Sequence, residues 1–477
     1  MQKNEQLTLQ IVGMTSEGQG VGRVDGFVVF IDGALLGETV LVHIVKRTSS
    51  YAIGRLLEIL APADTRREPF CPVFERCGGC TLQHMSYEAT LAFKMGVVTD
   101  ALQRIAGLDA TDVARLVAPI LGMDQPLHYR NKAQYPVGKD STGEPIAGFY
   151  AKRSHAIVPH CQCAIQDETS GKVRRVVLDF MQRHPSALSA YDENTGRGLI
   201  RHIMTRVGFA TGDVMVVLVT TAKAIPHHEE LIADLAAAVP GLKSVFVNLN
   251  TARNNIILGE RCFKLYGDDF IHDNIGSLTF CISPLSFFQV NPIQTERLYA
   301  KALEYAALTG RETVYDLYCG TGTIGLFAAQ NAKQVIGVES VPAAIDDAHA
   351  NAAANGIHNA TFRVGLAEDV LDQLMRDAAL APAPASTPAS TPASTPASDA
   401  VVILDPPRKG CEQRLLDALA QMAPSRIVYV SCNPATLARD LKFLLAQSYQ
   451  LTAVQPVDMF PWGTHIECVV LMSKVEK

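Results

Sequence analysis

The first sixty residues are short apolar-rich runs broken by turn residues, a pattern that predicts strands throughout. The runs are Leu7–Met14, Gly20–Val24, Phe27–Ile31, Glu38–Val45 and Tyr51–Leu60, with Ser16-Glu17-Gly18, Asp25-Gly26 and Asp32-Gly33 between them. Five short strands at this spacing suit a small closed barrel, of which the OB type is the commonest nucleic-acid binder. A packing or dimerisation module fits the same strands equally well. Residues 61–285 read as mixed α/β and begin with a cysteine-rich segment; their most apolar run, Val214–Thr220, is a third of a membrane span. From 286 to 477 the order becomes strand, glycine loop, helix, acid-ended strand, as in a doubly wound parallel sheet. A Pro, Ala, Ser and Thr tract from Ala381 to Ser398 interrupts it. Such residues cannot bury a core, so a disordered insert is expected over 381–399. The predicted fold class is therefore α/β, in three domains: a barrel (1–60), a mixed centre (61–285) and a doubly wound sheet (286–477).

Composition agrees with several packed interiors. Of 477 residues, 48% are apolar and 19% charged, which excludes a mainly disordered chain, a collagen and a coiled-coil rod. The net charge of −6 gives no global nucleic-acid signal, although a basic groove can hide within it. The opening MQKNEQLTLQ lacks the apolar core of a secretory signal, so a cytoplasmic protein is expected. Eleven unevenly spread cysteines argue against a disulfide framework and for metal ligands or nucleophiles.

The chemistry-bearing segments crowd the last domain. TVYDLYCGTGTIGLFAAQ sets Gly320, Gly322 and Gly325 in a G-x-G-x-x-G turn for close approach of a nucleotide. Alone, the turn would serve a dehydrogenase equally well. Glu339 ends the next strand, about 20 residues on, where a carboxylate accepts ribose hydroxyls. VVILDPPRKG ends a strand in Asp405-Pro406-Pro407-Arg408, whose prolines stiffen a loop suited to a planar base. IVYVSCNPATLARDL places Cys432 at a strand-to-helix turn, where a lowered thiol pKa is expected. FPWGTHIECVVLM carries Glu467 into an apolar strand, where its pKa should rise toward that of a working base. Cys281, Cys319, Cys411 and Cys468 read as small buried hydrophobes.

The ordered set FFQVN (Phe287 to Asn291), DLYCGTGTIG, DPPR and SCNP with a terminal HIE resembles the RNA uracil-5 methyltransferase family. The resemblance spans 286–477 apart from the low-complexity tract. It implies a Rossmann-like domain that uses S-adenosylmethionine, with Cys432 as nucleophile and Glu467 as base. It also implies cofactor contacts from Gln289, Tyr318, Thr323, Glu339 and Asp405; Tyr318 and Thr323 depart from the family's commoner Phe and Asn. The chemistry explains the residue types. Uracil C5 is a poor nucleophile until a thiolate adds at C6, and the C5 proton must then leave to a base before the thiolate is expelled.

CPVFERCGGCTLQH spaces Cys71, Cys77 and Cys80 as C-x5-C-x2-C, and CQCAIQ adds Cys161 and Cys163. Three close thiols and a distant fourth suit either zinc or an iron–sulfur cluster. The segment resembles the iron–sulfur motif of bacterial ribosomal RNA uracil methyltransferases. That implies a 4Fe-4S cluster on Cys71, Cys77, Cys80 and, from the C-x-I-Q-like segment, Cys163 in preference to Cys161. HYRNKAQYPVGK and FYAKRSH interleave basic residues with Tyr129, Tyr135, Phe149 and Tyr150, a composition for phosphate contact and base stacking. GRGLIRHIMTR (Gly196 to Arg206) reads as a second basic patch facing RNA. The barrel resembles a TRAM domain. Together these imply methylation of uridine C5 in 23S ribosomal RNA, with no membrane and no obligate protein partner. Transfer-RNA enzymes of the family typically lack both barrel and cysteine cluster. The rivals are a transfer-RNA methyltransferase and a non-catalytic RNA-binding protein.

Overall fold

The computed structural model describes residues 1–159, 162–380 and 399–475. The insert expected over 381–399 thus lies outside the described residues, apart from Asp399. The chain divides into two compact units.

The first unit comprises Met1–Val97, Tyr150–His155 and Phe460–His465. Strands β1 (Gln6–Met14), β2 (Gly20–Val24), β3 (Phe27–Ile31), β4 (Thr39–Arg47) and β5 (Tyr51–Ala61) close a barrel in the order β1-β2-β3-β5-β4. Alternate side chains of each strand point inward, so Ile11, Val29, Ile31, Val40, Val42 and Ile44 fill the interior. Gly20 is required for closure, since a Cβ there would lie 2.8 Å from the Ala34 carbonyl oxygen. Helix α1 (Tyr87–Ala101) follows the cysteine-rich segment. Its fully buried Lys94 donates to the Phe460 carbonyl at 2.9 Å. Beside it, the N–H groups of Thr81 and Leu82 both donate to the Trp462 carbonyl, at 2.8 and 3.0 Å. The segment next to the cysteines is therefore tied to a stretch nearly four hundred residues later in the chain.

The second unit begins at Val98, within α1, and continues through a π-helical turn (Leu102–Ala106) and α2 (Ala110–Leu116). Strands β6 (Lys132–Lys139), β7 (Pro145–Tyr150) and β8 (Ile157–Pro159) precede α3 (Glu168–Arg183). Then come β9 (Ile200–Val207), β10 (Val214–Thr220), α4 (His228–Ala238), β11 (Leu242–Leu249) and β12 (Arg261–Gly267). These strands form one sheet in the order β12-β11-β10-β9-β6-β7-β8. Strand β10, the most apolar run, is buried along its whole length, as a central strand covered on both faces must be.

A hairpin, β13 (Ile271–Ile275) and β14 (Leu278–Ile282), leads through α5 (Pro292–Ala306) into the doubly wound half. Its elements are β15 (Thr313–Leu317), α6 (Thr323–Ala329), β16 (Gln334–Glu339), α7 (Pro342–Ala354), β17 (Ala360–Val364), α8 (Ala367–Leu380) and β18 (Ala400–Leu404). After them come α9 (Gln413–Met422), β19 (Arg426–Ser431), α10 (Pro434–Leu445), β20 (Tyr449–Val457) and β21 (Glu467–Lys474). The strand order β17-β16-β15-β18-β19-β21-β20 reverses direction between β15 and β18, which opens a crevice at that edge. Strand β21 runs antiparallel to β19, so its start lies at the edge where the parallel strands end.

Two expectations about the basic stretches need correction. Of the three arginines between Gly196 and Arg206 only Arg197 is exposed; Arg201 and Arg206 are 5% exposed and point into backbone carbonyls. They belong to β9, a strand inside the sheet between β6 and β10 that is buried along its whole length. Tyr129 and Tyr135, expected as stacking platforms, are likewise core residues. Lys139, Lys152 and Arg153 stay exposed.

Candidate active site at the carboxyl edge of the sheet

Register brings the motif residues to one edge. Leu317 pairs with both Val338 and Leu404, so Tyr318, Glu339 and Asp405 all follow at the same level. Ser431 pairs with Cys468, which puts Cys432 and Glu467 side by side at the neighbouring strand ends.

The glycine turn is built for close approach. Tyr318 (φ 67°), Gly320 (φ 54°) and Gly322 (φ 79°) all occupy the left-handed region. A Cβ on Gly322 would lie 3.0 Å from the Phe362 ring, and one on Gly325 would lie 2.7 Å from Asp316 Oδ2. Glu339 closes the turn: its Oε2 accepts from the Gly320 N–H at 3.3 Å and its Oε1 from the Val341 N–H at 2.9 Å. Thr323 opens α6, its hydroxyl 2.9 Å from that of buried Tyr299. Gln289 is 9% exposed, and its carbonyl accepts from Asn131 Nδ2 at 3.0 Å.

The loop after β18 is fastened to α10. Arg408 O accepts from Asn433 Nδ2 and from Thr436 Oγ1, both at 3.1 Å. Fully buried Asp440 accepts from the Cys411 N–H at 2.9 Å and the Tyr429 hydroxyl at 2.7 Å. Asn433 also caps α10 by accepting from the Ala435 N–H at 3.0 Å. The Cys432 turn and the Asp405 loop are therefore fastened to each other.

Electrostatics at this edge are dominated by carboxyls. Burial pushes Asp405 up to about 7, and burial followed by the Asp405 charge pushes Asp316 up to about 7. Glu467, 5% exposed, is raised well above the ordinary range by burial and then by Asp405, with Arg408 opposing. That matches the sequence expectation for Glu467. Cys432 reverses its expectation. Burial first, then Glu467 and Asp405, push its thiol up to about 11, and Arg408 only partly offsets them. The turn at a helix N-terminus was a sound reason to expect a lowered value, but burial, and after it the two carboxyls at the strand ends, outweigh it.

Sequence reasoning missed Asp316, Tyr299 and Asn131. Asp316 is buried, and neither carboxylate oxygen has a full hydrogen-bond partner among the described residues. Its signal was present as the acid that ends the strand before the glycine turn. Nothing in the local sequence marks Tyr299, which reaches the edge from α5, or Asn131, which holds the Gln289 and Val290 carbonyls. Cys319, Cys411 and Cys468 are buried, whereas Cys281 is half-buried.

Cys71, Cys77 and Cys80 lie in the first unit. The Gly79 N–H donates to Cys77 Sγ at 3.3 Å, the kind of backbone donor that tunes metal-bound sulfur. Burial, with neighbouring Cys71, holds the Cys77 thiol above its ordinary value, against the Gly79 N–H and Lys152. Cys163 belongs to the second unit, and Cys161 lies outside the described residues. A separate group, His184, His227 and Glu230, brings one donor atom each within 4.8 Å. Glu230 is already engaged there by Arg183 at 2.5 Å and His184 at 3.2 Å, an ion-pair network joining α3 to α4.

The family model described as tRNA (Uracil-5-)-methyltransferase matches residues 274–475, and a TRAM domain model matches residues 2–57. A Clostridium tetani protein named an uncharacterized RNA methyltransferase is 47% identical over 473 residues, 99% of this chain and 97% of its own. A Halalkalibacterium halodurans protein of the same description is 46% identical over 471 residues, again covering 99% and 97%. The solved Pyrococcus abyssi tRNA (uracil-54, C5)-methyltransferase, in complex with S-adenosyl-L-homocysteine, superposes with a TM-score of 0.75 at 25% identity. That superposition covers 98% of this chain and 99% of the other. Among the described residues no helix is long and apolar enough to cross a membrane.

Proposed function

The chain belongs to the RNA uracil-5 methyltransferase family, and on that premise we propose that it methylates uridine C5 in 23S ribosomal RNA through a covalent Cys432 adduct. As a member of that family it uses S-adenosylmethionine, which supplies the electrophilic methyl group. The observation that carries the reading is the convergence of Cys432, Glu467 and Asp405 on the edge that also holds the glycine turn. The glycine turn, the buried Asp316 carboxyl and the anchored Glu339 fit a nucleotide carrying a positive sulfur. Gln289, Tyr318, Thr323, Glu339 and Asp405 are the residues that would hold it.

In this reading Cys432 Sγ bonds to C6 of the ring, and C5 becomes electron-rich enough to take the methyl group. Because Cys432 rests protonated, its proton leaves as sulfur attacks; Asp405, raised only to about 7, takes it, which leaves Glu467 free for the C5 proton. Glu467 then removes the C5 proton, and the C6–S bond breaks to release the product and the thiolate. A base with a raised pKa suits that step, since it takes a proton near neutral pH and gives it up again.

The barrel (1–60) and the central segment (61–285) would grip RNA, leaving transfer to 286–477. Cys71, Cys77, Cys80 and Cys163 would hold a 4Fe-4S cluster that shapes this RNA-binding part; methyl transfer itself needs no electron. Support for ribosomal RNA comes from the C-x5-C-x2-C motif. A transfer-RNA substrate is the second reading. The P. abyssi enzyme acts on transfer RNA and matches this chain nearly end to end, so an amino-terminal barrel does not separate the two substrates. The cytoplasm, where both RNAs reside, is the proposed location. Mapping 5-methyluridine in both RNAs from a strain lacking the protein tests the choice. Loss from 23S RNA alone supports the first reading, and loss from transfer RNA alone replaces it with the second.

A further inference from the structure

Arg206 is an unusual place for a charge. It lies on β9 with 5% exposure, and its cross-strand neighbour on β6 is another cation, Lys132. Burial, then Arg206 and Arg130, drive Lys132 down to about 7. What Arg206 touches is the chain leading into the FFQVN motif. Its Nη2 donates to the carbonyls of Ser286 and, at 3.4 Å, Pro284. Its Nε–H has no hydrogen-bond partner among the described residues.

The same stretch is gripped at two further points. Asn131, 5% exposed, donates through its backbone to the Val290 carbonyl at 2.9 Å and through Nδ2 to the Gln289 carbonyl at 3.0 Å. Asn131 is itself tied to β9 by the Val207 N–H, one residue from Arg206. From the other side, Asp347 of α7 accepts from Ser286 Oγ at 2.6 Å, and Ser283 and Ser286 bond to each other at 2.6 Å. The backbone of 284–290, Gln289 included, is thus held between the central sheet and the helix that follows β16.

We propose that Arg206 is a positioning residue: with Asn131 and Asp347 it fixes the 284–290 backbone so that Gln289 is presented to the site, and it does not contact RNA. This rests on the uracil methylation reading. Displacing reacting partners by about an ångström can cost on the order of a hundredfold in rate, so the clamp's effect should fall on turnover.

The test compares full-length wild type, R206M and R206K, with the cysteine site as isolated, by three measurements. These are amide hydrogen exchange of peptides spanning 283–291, kcat on RNA carrying the target uridine, and RNA affinity against salt. R206M should exchange faster over 283–291 and lose roughly ten- to a hundredfold in kcat, with RNA affinity and salt slope unchanged. R206K, which keeps one donor, should lose less on both counts. Unchanged exchange over 283–291 in both variants overturns the clamp whatever the activity. A reduced salt slope would instead make Arg206 an RNA contact. A wild type inactive on every RNA would remove the methylation reading, while the exchange arm still decides the clamp. If R206M does not fold, R206K carries both arms.

Discussion

Glu467 lies beside Cys432 at the strand ends, where its charge adds to burial in pushing the thiol up, and Arg408 opposes both. The pair is set by sheet register: Ser431 faces Cys468, so the residue after one and the residue before the other meet at the same edge. The two residues are thereby electrostatically linked before any substrate arrives. Substituting Glu467→Gln removes a negative neighbour and should lower the Cys432 pKa. Iodoacetamide should then alkylate Cys432 roughly three- to tenfold faster at alkaline pH, where the wild-type Glu467 is ionised, even as turnover is lost. Arg408→Ala should slow alkylation. Equal rates in all three proteins would mean that the carboxyl does not act on the thiol.

The buried acids predict a pH-dependent stability. Asp316 carries a folded pKa of about 7 against an ordinary 3.8. A carboxyl raised in the folded state favours folding below its unfolded value, and that contribution is lost as pH rises through the folded one. The ligand-free protein should therefore lose thermal stability between about pH 4 and about pH 7. Asp316→Asn should flatten that slope and gain on the order of a few degrees in Tm at about pH 8. A thermal-shift series in which the variant keeps the wild-type slope would contradict the assignment.

The cysteine segment makes a compositional prediction. Protein purified without oxygen should be brown, with close to four irons per chain expected for a 4Fe-4S cluster on four thiolates. Cys71→Ser and Cys163→Ser should each lose colour and iron, whereas Cys161→Ser should keep both. Stoichiometric zinc in a colourless preparation would replace iron with a structural zinc site.

What could be read from the sequence follows the range of the interactions involved. The barrel strands were legible to within two residues, because turn glycines and short apolar runs are local signals: Gly20–Val24 and Phe27–Ile31 coincide with expectation. The glycine turn, the Asp405 loop and the Cys432 turn were legible for the same reason, each being one strand end and its connection. The state of the thiol was not, since it depends first on burial and then on Glu467 and Asp405 arriving from other strands. Arg201 and Arg206 were read as a surface patch because a charged pair in an apolar run has no local sign of burial. Their partners lie about fifty and eighty residues away, at Asn250 and Ser286. Asn131 and Tyr299 are silent for the same reason.

The central claim is a transient bond between Cys432 and uracil C6, and one experiment meets it directly. RNA in which the target uridine is replaced by 5-fluorouridine is incubated with the protein and S-adenosylmethionine. Fluorine cannot leave as a proton, so elimination stalls after methylation. The account predicts a denaturation-stable protein–RNA complex whose mass-mapped crosslink is at Cys432, absent in Cys432→Ala. Methylation of the unmodified RNA without any such complex would contradict it.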